Sequence, residues 1–357
     1  MPGDAPIAAG GQHDDAAAHR SPGDALSSRA WERDDDPSLR LLGPEPARRD
    51  PGLGEEVNNR LIAWAERIGI YPGELERFAK FGIGHLAALA YPDTDSVDRL
   101  SAAARCLAAS AAVDDHDVTG GPHGGTVERA LRQLTLVQAS LQPVALPARY
   151  AADWRRTMRD DAVLRAVRSA MRHIWKRMTV SQAMRLRGDV LDLLLAKTTR
   201  TRWLVERTAP SVEMYLMHRQ FNSFVPWMGL TDVVGGYEVP TAAYGDPHVR
   251  QAIMFASSAS TVVNDLYSME KEKTASGMSC NLPTLIAAED MCSPDEAVRR
   301  TIAIHNEFIH AFDAVAVDLD ASPEPALRRF VNGLRSWMSG NRTWHATSHR
   351  YRAAHVY

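Results

Sequence analysis

Apolar residues recur at helical spacing from Glu55 to about Trp344, almost without interruption. The pattern opens with Val57, Leu61, Ile62, Trp64 and Ile68, which share one side of a 3.6-residue period. Nothing in the chain reads as a β-hairpin or as strand–helix–strand alternation. Breaks fall at Tyr71-Pro72-Gly73, Tyr91-Pro92-Asp93, Gly120 to Gly125, Gln142-Pro143, Gly235-Gly236 and Ser293-Pro294. There Pro and Gly interrupt the period. The sequence therefore predicts one all-α domain of roughly 300 residues and about a dozen helices. Ala252 to Val263 and Val190 to Ala196 are apolar on more than one face, as expected of helices deep inside a bundle. Periodicity does not distinguish a solid α-domain from a ring of helices around a central apolar cavity; the motifs do.

Residues 1 to 45 have a different texture, rich in Gly, Ala, Pro, Asp and Arg, with isolated large apolar residues such as Ile7, Leu26 and Trp31. So little apolar surface does not offset the entropy of ordering, so a disordered extension over 1–45 and a folded domain over 46–357 are predicted. The net charge of -3 gives no reason to expect nucleic acid or an anionic membrane as partner. No secretory signal is visible, and no apolar run reaches the roughly 18 residues of a membrane span. Cys106, Cys280 and Cys292 have no CxxC spacing, which argues against a zinc site or disulfide framework and for a cytoplasmic location.

The most informative segment is Asn264-Asp265-Leu266-Tyr267-Ser268-Met269-Glu270-Lys271-Glu272. Asn264, Ser268 and Glu272 lie at i, i+4 and i+8 and drift by only about 40° per step around a helix. They offer an amide, a hydroxyl and a carboxylate oxygen, a set suited to a hard cation such as Mg²⁺. Apolar residues precede them on the same helix, so the ligands continue a buried face. Asp114-Asp115-His116-Asp117 follows the apolar run Leu107 to Val113 and precedes a glycine-rich loop. Adjacent carboxylates at a helix end can bridge Mg²⁺ ions, although such a pair is more often a solvated terminus. His345 and His349 stand four apart without an evident third ligand and read as structural.

The string Asn264 to Glu272 resembles the NDxxSxxKE metal motif of class I terpene synthases at every fixed position. Asp114 and Asp115, 150 residues before Asn264, resemble that family's aspartate-rich motif. They depart from it where later acids are usual, at Val118 and Thr119. The resemblance implies a helical bundle around an apolar cavity, and three Mg²⁺ ions held by Asp114, Asp115, Asn264, Ser268 and Glu272. It implies a diphosphate-sensing Arg219 with Asn222 and Ser223 at a helix break. Lys271 and the pair Arg350-Tyr351 are further implied partners of a diphosphate. Phe221, Phe224, Trp227, Trp337 and Trp344 are the candidate cavity aromatics, over which carbocations are stabilised; Ala111, small and three residues before Asp114, hints at extra room.

Longer segments look like the bacterial 2-methylisoborneol and 2-methylenebornane synthase branch. They include Arg60 to Tyr71, His218 to Phe224, Val233 to Glu238 and Val263 to Ser268, and the likeness runs over roughly residues 42 to 352. It implies a Mg²⁺-dependent cyclase converting 2-methylgeranyl diphosphate to a bornane-type C11 terpenoid. It also implies a homodimer and cargo loading into an encapsulin-like shell through the tail as partner expectations. Two alternatives stay open at this point: a sesquiterpene cyclase acting on farnesyl diphosphate, kept open by Ala111 and the departed aspartate motif, and a catalytically weak shell-cargo relative. The basic stretch Thr198 to Arg202 is a second departure from the branch.

Overall fold

The computed structural model describes residues 32, 36–115, 127–142, 144–276 and 280–351, excluding the side chains of 270–276. Among the described residues there are sixteen α-helices and no strand. Twelve of the helices have eight residues or more, in line with the predicted dozen.

The helices begin and end where local chemistry tells them to. α1 (Pro51–Ile68) starts with the Asp50 carboxylate accepting from Leu53 N and Pro51 in its first turn, and ends on Gly69 at φ 84°. α2 (Leu75–Ala79) and α3 (Ile83–Ala90) follow the break at Tyr71-Pro72-Gly73. α4 (Val97–Val113), capped by Ser96, carries Asp114 at its C-terminal end. α5 (Val127–Ser140), α6 (Ala148–Asp160) and α7 (Ala162–Trp175) lead to the long α8 (Val180–Glu206). The predicted break at Gly120 to Gly125 lies outside the described residues. α9 (Val212–Phe221) and α10 (Val225–Met228) are separated by a break at Asn222 to Phe224, with Pro226 in the first turn of α10. α11 (Thr231–Gly235) and α12 (Thr241–Tyr244) are short. The 30-residue α13 (Pro247–Ser276) is followed by α14 (Leu282–Glu289), α15 (Pro294–Asp320) and α16 (Pro325–Thr347), then a short 3-10 turn over His349–Tyr351.

α13 packs on α15, α16 and α9, α3 packs between α1 and α16, and α4 packs on α1, α3 and α7. The predicted apolar segment of α13 is almost wholly buried; Ala252, Ile253, Ala256, Ala259, Val262 and Val263 are each 3% exposed or less. The α1–α3 approach is close enough to require glycine. A Cβ on Gly84 would sit 2.3 Å from Asn58 N. Asn58 uses that proximity, with Oδ1 accepting from Gly84 N at 3.2 Å and Nδ2 donating to Ala79 O at 3.1 Å.

The boundary predicted at residue 45 moves toward the N-terminus. Leu42 N donates to Asn306 Oδ1 at 2.9 Å, Asn306 Nδ2 donates to Arg40 O at 3.0 Å, and Arg342 donates to Leu41 O and Leu42 O at 3.1 and 3.2 Å. Residues 40–44 are therefore held to α15 and α16 by side-chain hydrogen bonds to their main chain, and Leu41 and Leu42 pack against the core. Just beyond, Arg48 donates to the carbonyls of Ala88, Tyr91 and Thr94 at 2.8, 3.0 and 2.8 Å, satisfying the carbonyl end of α3 and the turn into α4.

Candidate active site

The C-terminal end of α4, the middle of α8, the α9–α10 break, α13 and the last turn of the described chain enclose one cavity of about 130 Å³. Its lining combines two chemistries. One wall carries Asp114, Lys197, Arg219, Asn264, Arg350 and Tyr351. Leu86, Leu107, Leu193, Phe224, Trp227 and Trp344 supply the apolar side, and Ala111 lies among them. Phe224 and Trp227 owe their positions to the α9–α10 break, and Tyr91 Oη donates to Trp227 O at 2.7 Å.

The break also positions Arg219. The chain turns out of helix at Asn222, at φ -82° and ψ 68°, and Arg219 Nη1 donates to the Asn222 carbonyl at 2.9 Å. Its Nη2 donates to Asp265 Oδ1 at 2.5 Å and to Asn264 Oδ1 at 3.2 Å. Ser223 Oγ donates to Gln220 O at 2.8 Å, closing the turn. Asp265 is 2% exposed and also accepts from Tyr215 Oη at 2.9 Å and Leu282 N at 3.3 Å. It is thus the counterion that aims the guanidinium, a role the sequence reading did not assign.

Asn264 is oriented from behind. His345, wholly buried, has Nδ1 2.8 Å from Asn341 O and Nε2 3.1 Å from Asn264 Nδ2. A carbonyl can only accept, so the imidazole proton sits on Nδ1 and Nε2 accepts from the amide. Asn264 Nδ2 also donates to Tyr351 Oη at 3.0 Å. The amide oxygen is thereby turned toward Arg219 and the cavity. His345 stacks on Tyr351 with ring centroids 4.7 Å apart. Reading this histidine as merely structural understated it: it lies beside a candidate ligand because α16 packs on α13. Burial pushes the Tyr351 hydroxyl up to about 12, opposed by Arg350, so it stays protonated at neutral pH.

The structure places the other expected residues as follows. Asp115 is not on the cavity wall: it receives Arg350 Nη1 at 2.6 Å and Nη2 at 3.0 Å, and Tyr71 Oη at 2.9 Å. One residue along a helix is a turn of about 100°, so Asp114 and Asp115 cannot face the same way. Arg350 is buried, which disfavours its charge, but Asp115 outweighs that and holds its pKa above the ordinary value. Phe221 is 51% exposed, because it lies two residues from Arg219 on α9 and faces nearly the opposite side. Trp337 is fully buried behind the cavity aromatics, its ring 5.8 Å from that of Phe224 and 5.6 Å from that of Tyr91. Ser268 is buried, with Oγ 3.4 Å from Asp265 O. The side chains of Lys271 and Glu272, together with His116 and Asp117, lie outside the described residues.

Lys197 was not foreseen. Its side chain is 7% exposed, and its ammonium pairs directly with Asp114, whose side chain is 38% exposed. The signal was present: Val190, Leu194, Lys197 and Thr201 fall at i, i+4, i+7 and i+11, all on the buried seam of α8.

The candidate metal donors on the cavity wall are oxygens, from the Asp114 carboxylate and the Asn264 amide, with the Ser268 hydroxyl further along α13. Such a set fits a hard divalent cation and not a soft one. Among the described residues no three His, Cys, Asp or Glu side chains gather into a metal cage.

A helical bundle with a cavity lined by cationic, oxygen-bearing and aromatic side chains fits an isoprenoid cyclase, and residues 109–311 match the model of terpene synthase family 2, C-terminal metal binding. The chain belongs to the terpene synthase family. It is 39% identical to the 2-methylisoborneol synthase of Streptomyces ambofaciens over 86% of this chain and 70% of that protein. It is 34% identical to the 2-methylisoborneol synthase of Saccharopolyspora erythraea over 88% of this chain and 89% of that one. Among solved structures, it superimposes on the 2-methylisoborneol synthase of Streptomyces coelicolor A3(2) in complex with Mg²⁺ and 2-fluoroneryl diphosphate. The TM-score is 0.83 at 35% identity, covering 90% of this chain and 99% of that one. The protein is an enzyme of the terpene cyclase class. Among the described residues no helix is long and apolar enough to cross a membrane.

Proposed function

We propose that this chain is a cytoplasmic, Mg²⁺-dependent cyclase that ionises 2-methylgeranyl diphosphate and closes it to a bornane-type C11 terpenoid such as 2-methylisoborneol or 2-methylenebornane, releasing diphosphate. The observation that carries the reading is a cavity whose lining joins cationic side chains, which suit an anionic head, to aromatic and aliphatic ones, which suit a hydrocarbon. The likeness to 2-methylisoborneol synthases supports the choice of substrate.

Asp114 on one side, and Asn264, Ser268 and Glu272 on the other, are the residues to hold three Mg²⁺ ions. When bound, the ions supply positive charge that stabilises the departing diphosphate. Arg219, Lys271, Arg350 and Tyr351 donate to its oxygens. Arg219 also ties the Asn222 carbonyl to the same cluster, so displacement of the guanidinium by diphosphate would be felt at the helix break. Phe224, Trp227 and Trp344 present aromatic surface to the carbocation and keep water away until it has cyclised. Deprotonation, with diphosphate as the base, or capture of water ends the reaction.

The decisive experiment is gas chromatography of the products formed from geranyl, 2-methylgeranyl and farnesyl diphosphates with Mg²⁺. A bornane-type C11 product from the methylated substrate, formed with the highest kcat/KM, is expected. A sesquiterpene as the dominant product would replace this reading by the farnesyl one. A homodimer and loading into an encapsulin-like shell through the N-terminal tail are the proposed partners, tested by sedimentation and by co-purification with a shell protein.

A further inference from the structure

Three carboxylate–cation pairs surround the cationic wall: Arg219 with Asp265, Arg350 with Asp115, and Lys197 with Asp114. They are not equivalent. Asp265 and Asp115 lie off the cavity wall, with side chains 2% and 18% exposed. Among the described residues lining the cavity, Asp114 is the single carboxylate. Its partner, Lys197, is also a lining residue and approaches from α8. We propose that Lys197 is a diphosphate-binding residue whose ammonium holds Asp114 until diphosphate arrives, so that divalent metal and diphosphate bind as a coupled unit. The proposal deepens the function proposed above and rests on its reading of Asp114 as the metal-facing carboxylate.

The physical argument is one of competition. The same carboxylate cannot accept a lysine ammonium and a divalent cation in the same place, and the two positive charges repel at short range. A metal ion arriving alone must displace the ammonium into a wall that already carries Arg219 and Arg350. Lys197 has little room to retreat, being 5% exposed as a residue. With diphosphate present, the ammonium has a better acceptor, because an anion of several charges offers oxygens to its three donors. Lys197 then moves from the carboxylate to the phosphate, and Asp114 is released to the metal. In linkage language, Lys197 makes the coupling free energy between the two ligands negative, so that each tightens the other, and the coupling is reciprocal.

The test separates this role from plain stability. The full-length protein, Lys197→Met and Asp114→Asn are titrated with Mn²⁺ alone, with bound metal read by electron paramagnetic resonance. They are then titrated with inorganic diphosphate, with and without Mg²⁺, by calorimetry. Lys197→Met is expected to bind Mn²⁺ alone roughly tenfold more tightly and to bind diphosphate with Mg²⁺ roughly tenfold more weakly, in the range of ordinary coupling energies. Lys197→Arg, which keeps the charge, is expected to restore the wild-type order. Thermal unfolding of each variant confirms that it is folded. Unchanged Mn²⁺ affinity in Lys197→Met, with Asp114→Asn still abolishing binding, would overturn the role of Lys197 while leaving Asp114 as ligand. If Asp114→Asn also leaves Mn²⁺ binding unchanged, the proposal and the assignment of Asp114 both fall.

Discussion

Asp265→Ala isolates the counterion that aims Arg219. In the native protein the Asp265 carboxylate is 2% exposed and accepts from Arg219 at 2.5 Å, Tyr215 at 2.9 Å and Leu282 N at 3.3 Å. Truncation leaves a guanidinium whose side chain is 14% exposed without its carboxylate, and a buried tyrosine hydroxyl without its acceptor. Removing one partner of a buried pair costs about 3–5 kcal/mol. The hydrogen bonds to the charged carboxylate are worth about 1.5–3 kcal/mol each, but they share one acceptor and do not add in full. A loss of about 4 kcal/mol is therefore expected, a large part of the roughly 5–15 kcal/mol that holds a domain folded. Urea unfolding at fixed pH reads it as a fall in midpoint at constant slope. The double variant Asp265→Ala/Arg219→Ala should be destabilised by much less than the sum of the singles, since the orphaned charge is gone. A single-variant loss under about 1 kcal/mol, or strict additivity, would refute the claim that this pair is a buried, mutually dependent unit.

Three further outcomes are expected. Gly84→Ala forces a methyl group into the Asn58 backbone, where the gap is 2.3 Å, and should cost about 3 kcal/mol in denaturant unfolding, the upper end of overpacking effects. His305 is buried, which lowers its pKa to about 4 from an unfolded value near 6.5, so the unfolded chain binds the proton first. The contribution of His305 to stability is then complete above about pH 6.5 and is lost toward pH 4 with a slope of up to about 1.4 kcal/mol per unit; His173 and His218, also lowered to about 4 by burial, add to the same fall, so His305→Gln should make urea midpoints measured against pH less steep without levelling them. Phe221→Ser, at an exposed position off the cavity, should leave product identity and kcat/KM unchanged and shift stability by less than about 0.5 kcal/mol; a changed product profile would return Phe221 to the cavity.

What could be read before folding divides along a physical line. Helix breaks at Tyr71-Pro72-Gly73, Gly235-Gly236 and Ser293-Pro294 were legible because Pro and Gly act locally. The polar face of α13 was legible because Asn264 and Ser268 repeat at helical spacing within an otherwise apolar element. Neighbours within a motif were harder: Asp114 and Asp115 are adjacent in sequence, yet one faces the cavity and the other faces Arg350 and Tyr71. Phe221 and Arg219 separate for the same reason of helical angle. Contacts between distant elements left no local trace. His345 reaches Asn264 across 81 positions, and Tyr71 reaches Asp115 across 44. Lys197 was readable in principle, as a charge on an apolar seam, and was passed over because the basic stretch after it drew the eye.

The way the chain enters the bundle sets where it can safely be shortened. A deletion ending at residue 45 removes the peptide groups that Asn306 and Arg342 grip, and one ending at residue 50 also strips the guanidinium that closes the end of α3, leaving three main-chain oxygens to find water. Since α3 supplies Leu86 to the cavity, damage from an overlong cut would surface as poor cyclisation and be mistaken for a function of the tail. Cargo experiments are better built on removal of residues 1–35, which keeps every anchor from Arg40 onward and lets any lost shell association be ascribed to the missing segment itself.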